Sequence, residues 1–229
     1  MDLHPEGFNL EVESLRASGI NDEREINIYV EKLDRIYRQF ITSVTLPDDD
    51  RAKAELLFGW LWREKPDRYE PAGSFRLSKV IDAQLSFSIR TVGNCLGLTL
   101  LYNCLLRKMG IFSEALYIEN AFGRGPHVLT LLPVGNSFIE VENILPDGFD
   151  YKGHLDNPSR VRWGEKELVA DIYHSVGNEL FFKGAYMEAL RNYEKALYLN
   201  PRYEKARMNR LILLDKMGTE EIDEKNAGL

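Results

Sequence analysis

The 229 residues carry 29 Lys and Arg against 36 Asp and Glu, a formal net charge of -7 at pH 7. That balance argues against nucleic acid as a partner, because phosphate binding needs a basic face. With 44% hydrophobic and 28% charged residues the composition is globular, and apolar runs such as LGLTLLY fall far short of the roughly 20 residues of a membrane span.

The N-terminal stretch MDLHPEGFNLEVESL has no basic or apolar signal-peptide region. Two cysteines, Cys95 and Cys104, do not make a disulfide scaffold. On one helix they would stand ~13 Å apart, too far to bridge. The expected setting is reducing and cytoplasmic, with neither membrane nor nucleic acid as partner.

Chain order begins with helices. In INDEREINIYVEKLDRIYRQFITSV the apolar positions Ile26, Val30, Leu33, Tyr37 and Phe40 step by four and three, which predicts one buried stripe. Asn21 or Asp22 is the expected N-cap, and LPDDD closes the segment. A second helix is expected from near Asp49 to Pro66. Residues 66–92 contain two prolines and mixed periodicity and receive no assignment. GNCLGLTLLYNCLLRKMGI (93–111) reads as a helix starting near Asn94, with Arg107 and Lys108 suiting its negative end and Gly110 its C′ position.

The pattern then changes. ALYIEN, HVLTLLPV and NSFIEVEN are short and rich in β-branched or aromatic residues, and they predict two or three antiparallel strands with PVGNS as a hairpin. Helices, one special helix and a strand meander make an α+β pattern. From Glu165 the chain is expected to be helical again. Over 170–203, Tyr173, Val176, Gly177, Leu180, Gly184, Tyr186, Ala189, Tyr193, Ala196 and Pro201 follow a pattern that resembles the tetratricopeptide repeat. One repeat buries neither face alone, so structural support for the preceding domain is weighed above a peptide-binding surface. Residues 202–217 predict a capping helix, and 219–229 a frayed tail.

Chemistry centres on Gly93-Asn94-Cys95. A cysteine opening a helix meets the positive end of the helix dipole, which favours the thiolate, and the preceding glycine is expected to leave space for substrate. First-turn N–H groups, with Asn94 beside them, could hold an oxyanion. His127, after the loop Gly123-Arg124-Gly125-Pro126, is expected at the start of a strand. One hairpin later, Glu142 or Asn143 could hold its imidazole across an antiparallel pair. Arg90 is a candidate for attracting a substrate carboxylate, or else a scaffold partner of Asp82 or Glu142. Cys104 faces the opposite side of the helix and is expected in the core. His154 falls in a loop, where a histidine is commonly without a role beyond a substrate rim. No Cys or His pair has zinc spacing, and no metal or cofactor is expected.

These residues resemble the transglutaminase-like superfamily of papain-type cysteine enzymes. Gly93-Asn94-Cys95 fits the Gly-x-Cys that opens a helix, Met109-Gly110-Ile111 its end, and His127 the strand histidine. Phe138-Ile139-Glu140-Val141-Glu142 resembles the aromatic-to-Asp element, with Glu in place of the usual Asp. With N-terminal helices and the repeat, the chain is similar to the bacterial Sir B type. The resemblance implies a catalytic triad of Cys95, His127 and either Glu142 or Asn143, hydrolysing or transferring an acyl group of a peptide or protein substrate. Relatives with the repeat often lack the cysteine, so it equally implies a non-enzymatic module that meets a protein partner through the repeat. The expected organisation is an N-terminal helical segment (1–66), a transglutaminase-like core (67–163), repeat-like helices (164–218) and a flexible tail (219–229).

Overall fold

A computed structural model describes residues 7–227, with side chains described through residue 218. Residues 1–6 of the N-terminal stretch, His4 among them, lie outside the described residues. Among the described residues there are eight helices and one four-stranded antiparallel sheet, with helices at both ends. No helix among the described residues is long and apolar enough to cross a membrane. The chain divides into two compact units, Met1–Glu165 and Lys166–Leu229.

In the first unit, α1 (Leu10–Ala17) precedes α2 (Glu23–Ser43). Asp22 caps α2 by accepting from the N–H groups of Arg24 and Glu25. Ile26, Leu33, Ile36 and Phe40 are its buried face, whereas Val30 and Tyr37 of the expected stripe are half-buried. Asp49 likewise caps α3 (Asp50–Glu64), whose Trp60 is buried with its ring 5.5 Å from that of Phe40. The unassigned region holds one helix, α4 (Leu77–Leu85), which starts at Arg76 without a side-chain cap. That missing cap removes the sequence signal for its start.

The central element is α5 (Cys95–Lys108), buried continuously from Leu96 to Leu106. A helix apolar on every side belongs inside a domain. Its few polar groups are internally satisfied: Tyr102 donates to the Ala54 carbonyl at 2.8 Å, and Thr99 to the Val128 carbonyl at 3.2 Å. The sheet comprises β1 (Glu114–Ile118), β2 (His127–Val134), β3 (Ser137–Val141) and β4 (Arg160–Trp163), in the order β3-β2-β1-β4. The fourth strand corrects the expectation of two or three. RVRW is short, charged and largely exposed, so it shows no apolar alternation, yet it pairs with β1 from Ala115↔Trp163 to Ile118↔Arg160.

The second unit contains α6 (from Lys166 of Glu165–Phe182), α7 (Tyr186–Leu199) and α8 (Glu204–Ala227). A β-carbon on Gly177 of α6 would lie 2.5 Å from the Tyr193 ring of α7, so glycine permits their close approach. Ala189 and Ala196 are fully buried. The backbone helix of α8 continues through Ala227, within the segment 219–229.

Candidate active site

Asn94 is the N-cap of α5 and Cys95 its first residue. The Asn94 side-chain oxygen accepts from the Gly97 N–H at 3.1 Å, and the first i→i-4 bond runs from Leu98 to the Asn94 carbonyl at 2.9 Å. The N–H groups of Cys95 and Leu96 therefore belong to the turn with no intrahelical acceptor. Gly93 has a role other than the one expected. A β-carbon there would meet the Ser74 carbonyl at 2.7 Å, and the same carbonyl accepts from the Asn94 N–H at 3.1 Å. The glycine lets the segment before α4 pass over the helix start; it is a packing requirement rather than space for substrate.

Cys95 is half-buried, while Cys104 is fully buried, and burial pushes the Cys104 thiol well above the usual range. Cys95 and His127 line one cleft of about 560 Å³ with Tyr69, Asn94, Phe122 and Arg124. His127 is the first residue of β2 and is 7% exposed. Its Nε2 lies 2.7 Å from Oε2 of Glu142, which follows β3 directly and is fully buried. Cys95, which lines the same cleft, joins Glu142 in favouring the charged imidazole. With Nε2 committed to the carboxylate, Nδ1 is the nitrogen left for another partner.

Electrostatics follow from these neighbours. Burial opposes a charged imidazole at His127, but interaction with Cys95 and Glu142 outweighs it and brings its pKa up to about 10. Burial likewise opposes charge on Glu142, yet donors from His127 and His154 hold its carboxyl below the usual range. A cationic His127 beside the Glu142 carboxylate is the state these interactions favour.

His154 is the residue the sequence undervalued. It is 2% exposed, and its Nε2 lies 2.9 Å from the same Glu142 Oε2. The path that brings it there begins at Glu142, whose N–H donates to the Gly148 carbonyl at 2.8 Å, and returns along β3, where the Tyr151 N–H donates to the Glu140 carbonyl at 2.9 Å. Phe122 covers both imidazoles, with ring centroids 5.6 Å from His127 and 4.7 Å from His154. It does so from a left-handed backbone conformation (φ 53°), which is unfavourable for a bulky residue.

Asn143 and Arg90 lie elsewhere. Asn143 is buried and donates through Nδ2 to Thr99 Oγ1 at 3.2 Å, Thr130 Oγ1 at 3.0 Å and the Val141 carbonyl at 3.3 Å. It joins the sheet to α5, and of the two sequence alternatives Glu142 is the one bonded to His127. The Arg90 side chain is 86% exposed and 3.6 Å from Asp67, paired with neither Asp82 nor Glu142. Arg124 is instead the guanidinium that lines the cleft.

His127, Glu142 and His154 also form a possible ligand set, with one donor atom from each within 4.8 Å of the others. Two donors on a shared zinc ion at about 2.1 Å would stand roughly 3.4 Å apart in a tetrahedral site. The observed 2.7 and 2.9 Å from one oxygen to both nitrogens are hydrogen-bond separations. The spacing thus fits a proton-bridged cluster better than a metal shell. Sequence spacing could not reveal the set, because its members come from a strand, a strand end and a loop.

Comparison with protein families, with curated proteins and with solved structures finds no match to this chain.

Proposed function

We propose that the chain is a cysteine-nucleophile acyl-transfer enzyme of the transglutaminase-like, papain-type class. The observation that carries the proposal is one buried imidazole, His127, bonded to Glu142 and lining the same cleft as Cys95 at the start of α5. The Cys95 sulfur attacks the carbonyl carbon of an amide, peptide or ester, and the carbonyl oxygen takes the negative charge. The N–H groups of the first turn of α5 supply donors where that charge develops. His127 gives its proton to the departing amine or alcohol as the carbon–heteroatom bond breaks, leaving a thioester on Cys95. Neutral His127 then takes a proton from water or an incoming amine, which attacks the thioester and restores the thiolate. Glu142 keeps the imidazole oriented and stabilises its charge throughout, as in other cysteine or serine triads.

Peptide or protein carbonyls are the substrate class, with hydrolysis favoured over cross-linking, and the expected setting is cytoplasmic. Arg124 at the cleft supports recognition of a carboxylate or other acidic group near the reacting carbonyl. A second reading, a protein-binding module, draws on the second unit, where Phe182 and Tyr198 are each 86% exposed. Under it the 164–218 helices act as a tetratricopeptide-type surface for a protein partner, and the two readings are compatible within one chain.

The test is intact-protein mass spectrometry after brief exposure to activated peptide esters. The enzyme reading predicts an acyl adduct on Cys95 that decays with water or an added amine. It also predicts no adduct in Cys95→Ser over the same interval. Equal acylation of Cys95→Ser and the wild-type chain would contradict it.

A further inference from the structure

Resting on the cysteine-enzyme reading, we infer that His154 is a positioning residue of the site, acting on the nucleophile through Glu142. Its Nε2 lies 2.9 Å from the same carboxylate oxygen that meets His127 at 2.7 Å. Glu142 is fully buried, and a lone buried carboxylate would either take up a proton or turn away. Two N–H donors on one oxygen prevent both, and the Ile144 N–H adds a third, longer contact of 3.4 Å to Oε1. A glutamate has one more rotatable bond than an aspartate at such a position, so its carboxylate needs more restraint. His154 supplies that restraint at the same oxygen that meets His127.

The imidazole of His154 is itself held. Phe122 packs edge-on at 4.7 Å and Tyr151 at 5.1 Å between ring centroids. A β-carbon on the neighbouring Gly153 would collide with the Tyr151 ring, so this turn is closely packed. The other charged groups around it do not compete for Glu142. Glu140, whose charge interacts with His154, is ion-paired with Arg160, and Lys152 pairs with Asp150 at 2.6 Å. On the cleft side, Tyr69 and Arg124 line the pocket with Cys95.

The experiment follows alkylation of Cys95 by iodoacetamide against pH, with Cys104 as the internal control, in the wild-type chain, His154→Ala and His154→Gln. Removing the second donor should shift the His154→Ala profile to higher pH, slowing alkylation at pH 6 by roughly tenfold for each unit of displacement. The plateau rate at high pH should stay unchanged. His154→Gln retains an N–H donor and should recover much of the loss. A low wild-type profile that His154→Ala leaves in place overturns the inference and spares the enzyme reading. An ordinary thiol profile in the wild-type chain overturns both. Should His154→Ala fail to fold, NMR of the wild-type chain decides. A protected Nε2 proton on His154 that moves in Glu142→Gln supports the inference, and a proton on Nδ1 with Nε2 bare overturns it.

Discussion

Gly148 packs against the backbone of Glu142 so closely that a β-carbon on it would enter the van der Waals shell of the Glu142 carbonyl. The same pair is tied by the Glu142 N–H donating to the Gly148 carbonyl at 2.8 Å. This turn fixes where the buried carboxylate points and starts the loop that returns His154 beneath it. Gly148→Ala should therefore destabilise the chain by about 1–3 kcal/mol, the usual cost of overpacking. It should also slow Cys95 alkylation at pH 6. Chemical denaturation and the alkylation rate, measured on the same variant, check both. An alanine tolerated in both assays would remove the turn from the account.

Glu142 and Asn143 are adjacent in sequence but separable in role. Glu142→Gln removes the charge facing His127 and should lower acyl transfer about 100-fold or more, the usual scale for lost acid–base assistance. Asn143→Ala leaves Thr99 and Thr130 without their amide partner and should cost about 1–3 kcal/mol of stability. Its alkylation profile against pH should match that of the wild-type chain. Denaturation curves beside alkylation profiles separate the two outcomes. An Asn143→Ala profile displaced as far as that of Glu142→Gln would show the assignment to be wrong.

The pH dependence of stability has a definite sign at both ends. His127 is raised from 6.5 to about 10 in the folded chain. The stability it contributes is fully present below pH 6.5 and is lost as pH rises through about 10. Glu142 is lowered from 4.5, so its contribution is present above pH 4.5 and is lost as pH falls through its lower folded value. Melting temperatures between pH 6 and 10.5 should fall more steeply for the wild-type chain than for His127→Gln. Parallel curves would contradict a raised His127. Turnover should decline over the same alkaline range, because proton delivery to the leaving group needs the imidazolium.

What could be read from the sequence was local chemistry. Asp22, Asp49 and Asn94 each announce a helix start through a side-chain acceptor, and the structure uses all three as caps. Strand runs with apolar or aromatic character were equally visible, whereas Arg160–Trp163 joins the sheet at its edge through backbone pairing that charged side chains conceal. Cys95 at a helix start and His127 at a strand start were legible because each sits at an element boundary. His154 was not, because its burial comes from a loop folded over Glu142. Gly93 was noticed for the wrong reason: sequence shows a missing side chain, and only the fold shows that the Ser74 carbonyl fills the space. Arg90 and Arg124 make the same point, since proximity in sequence to the cysteine put the first forward and the fold brings the second to the cleft.

The central claim is that His127 holds Cys95 ready as a thiolate, and the rate of Cys95 alkylation against pH tests it most directly. Cys104, fully buried in the same helix, is the control within each sample. The account predicts rapid modification of Cys95 well below pH 7, a profile displaced upward in His127→Ala, and no modification of Cys104 while the chain is folded. A Cys95 profile that rises only near the ordinary thiol value of about 8.5, and is the same in His127→Ala, would contradict it.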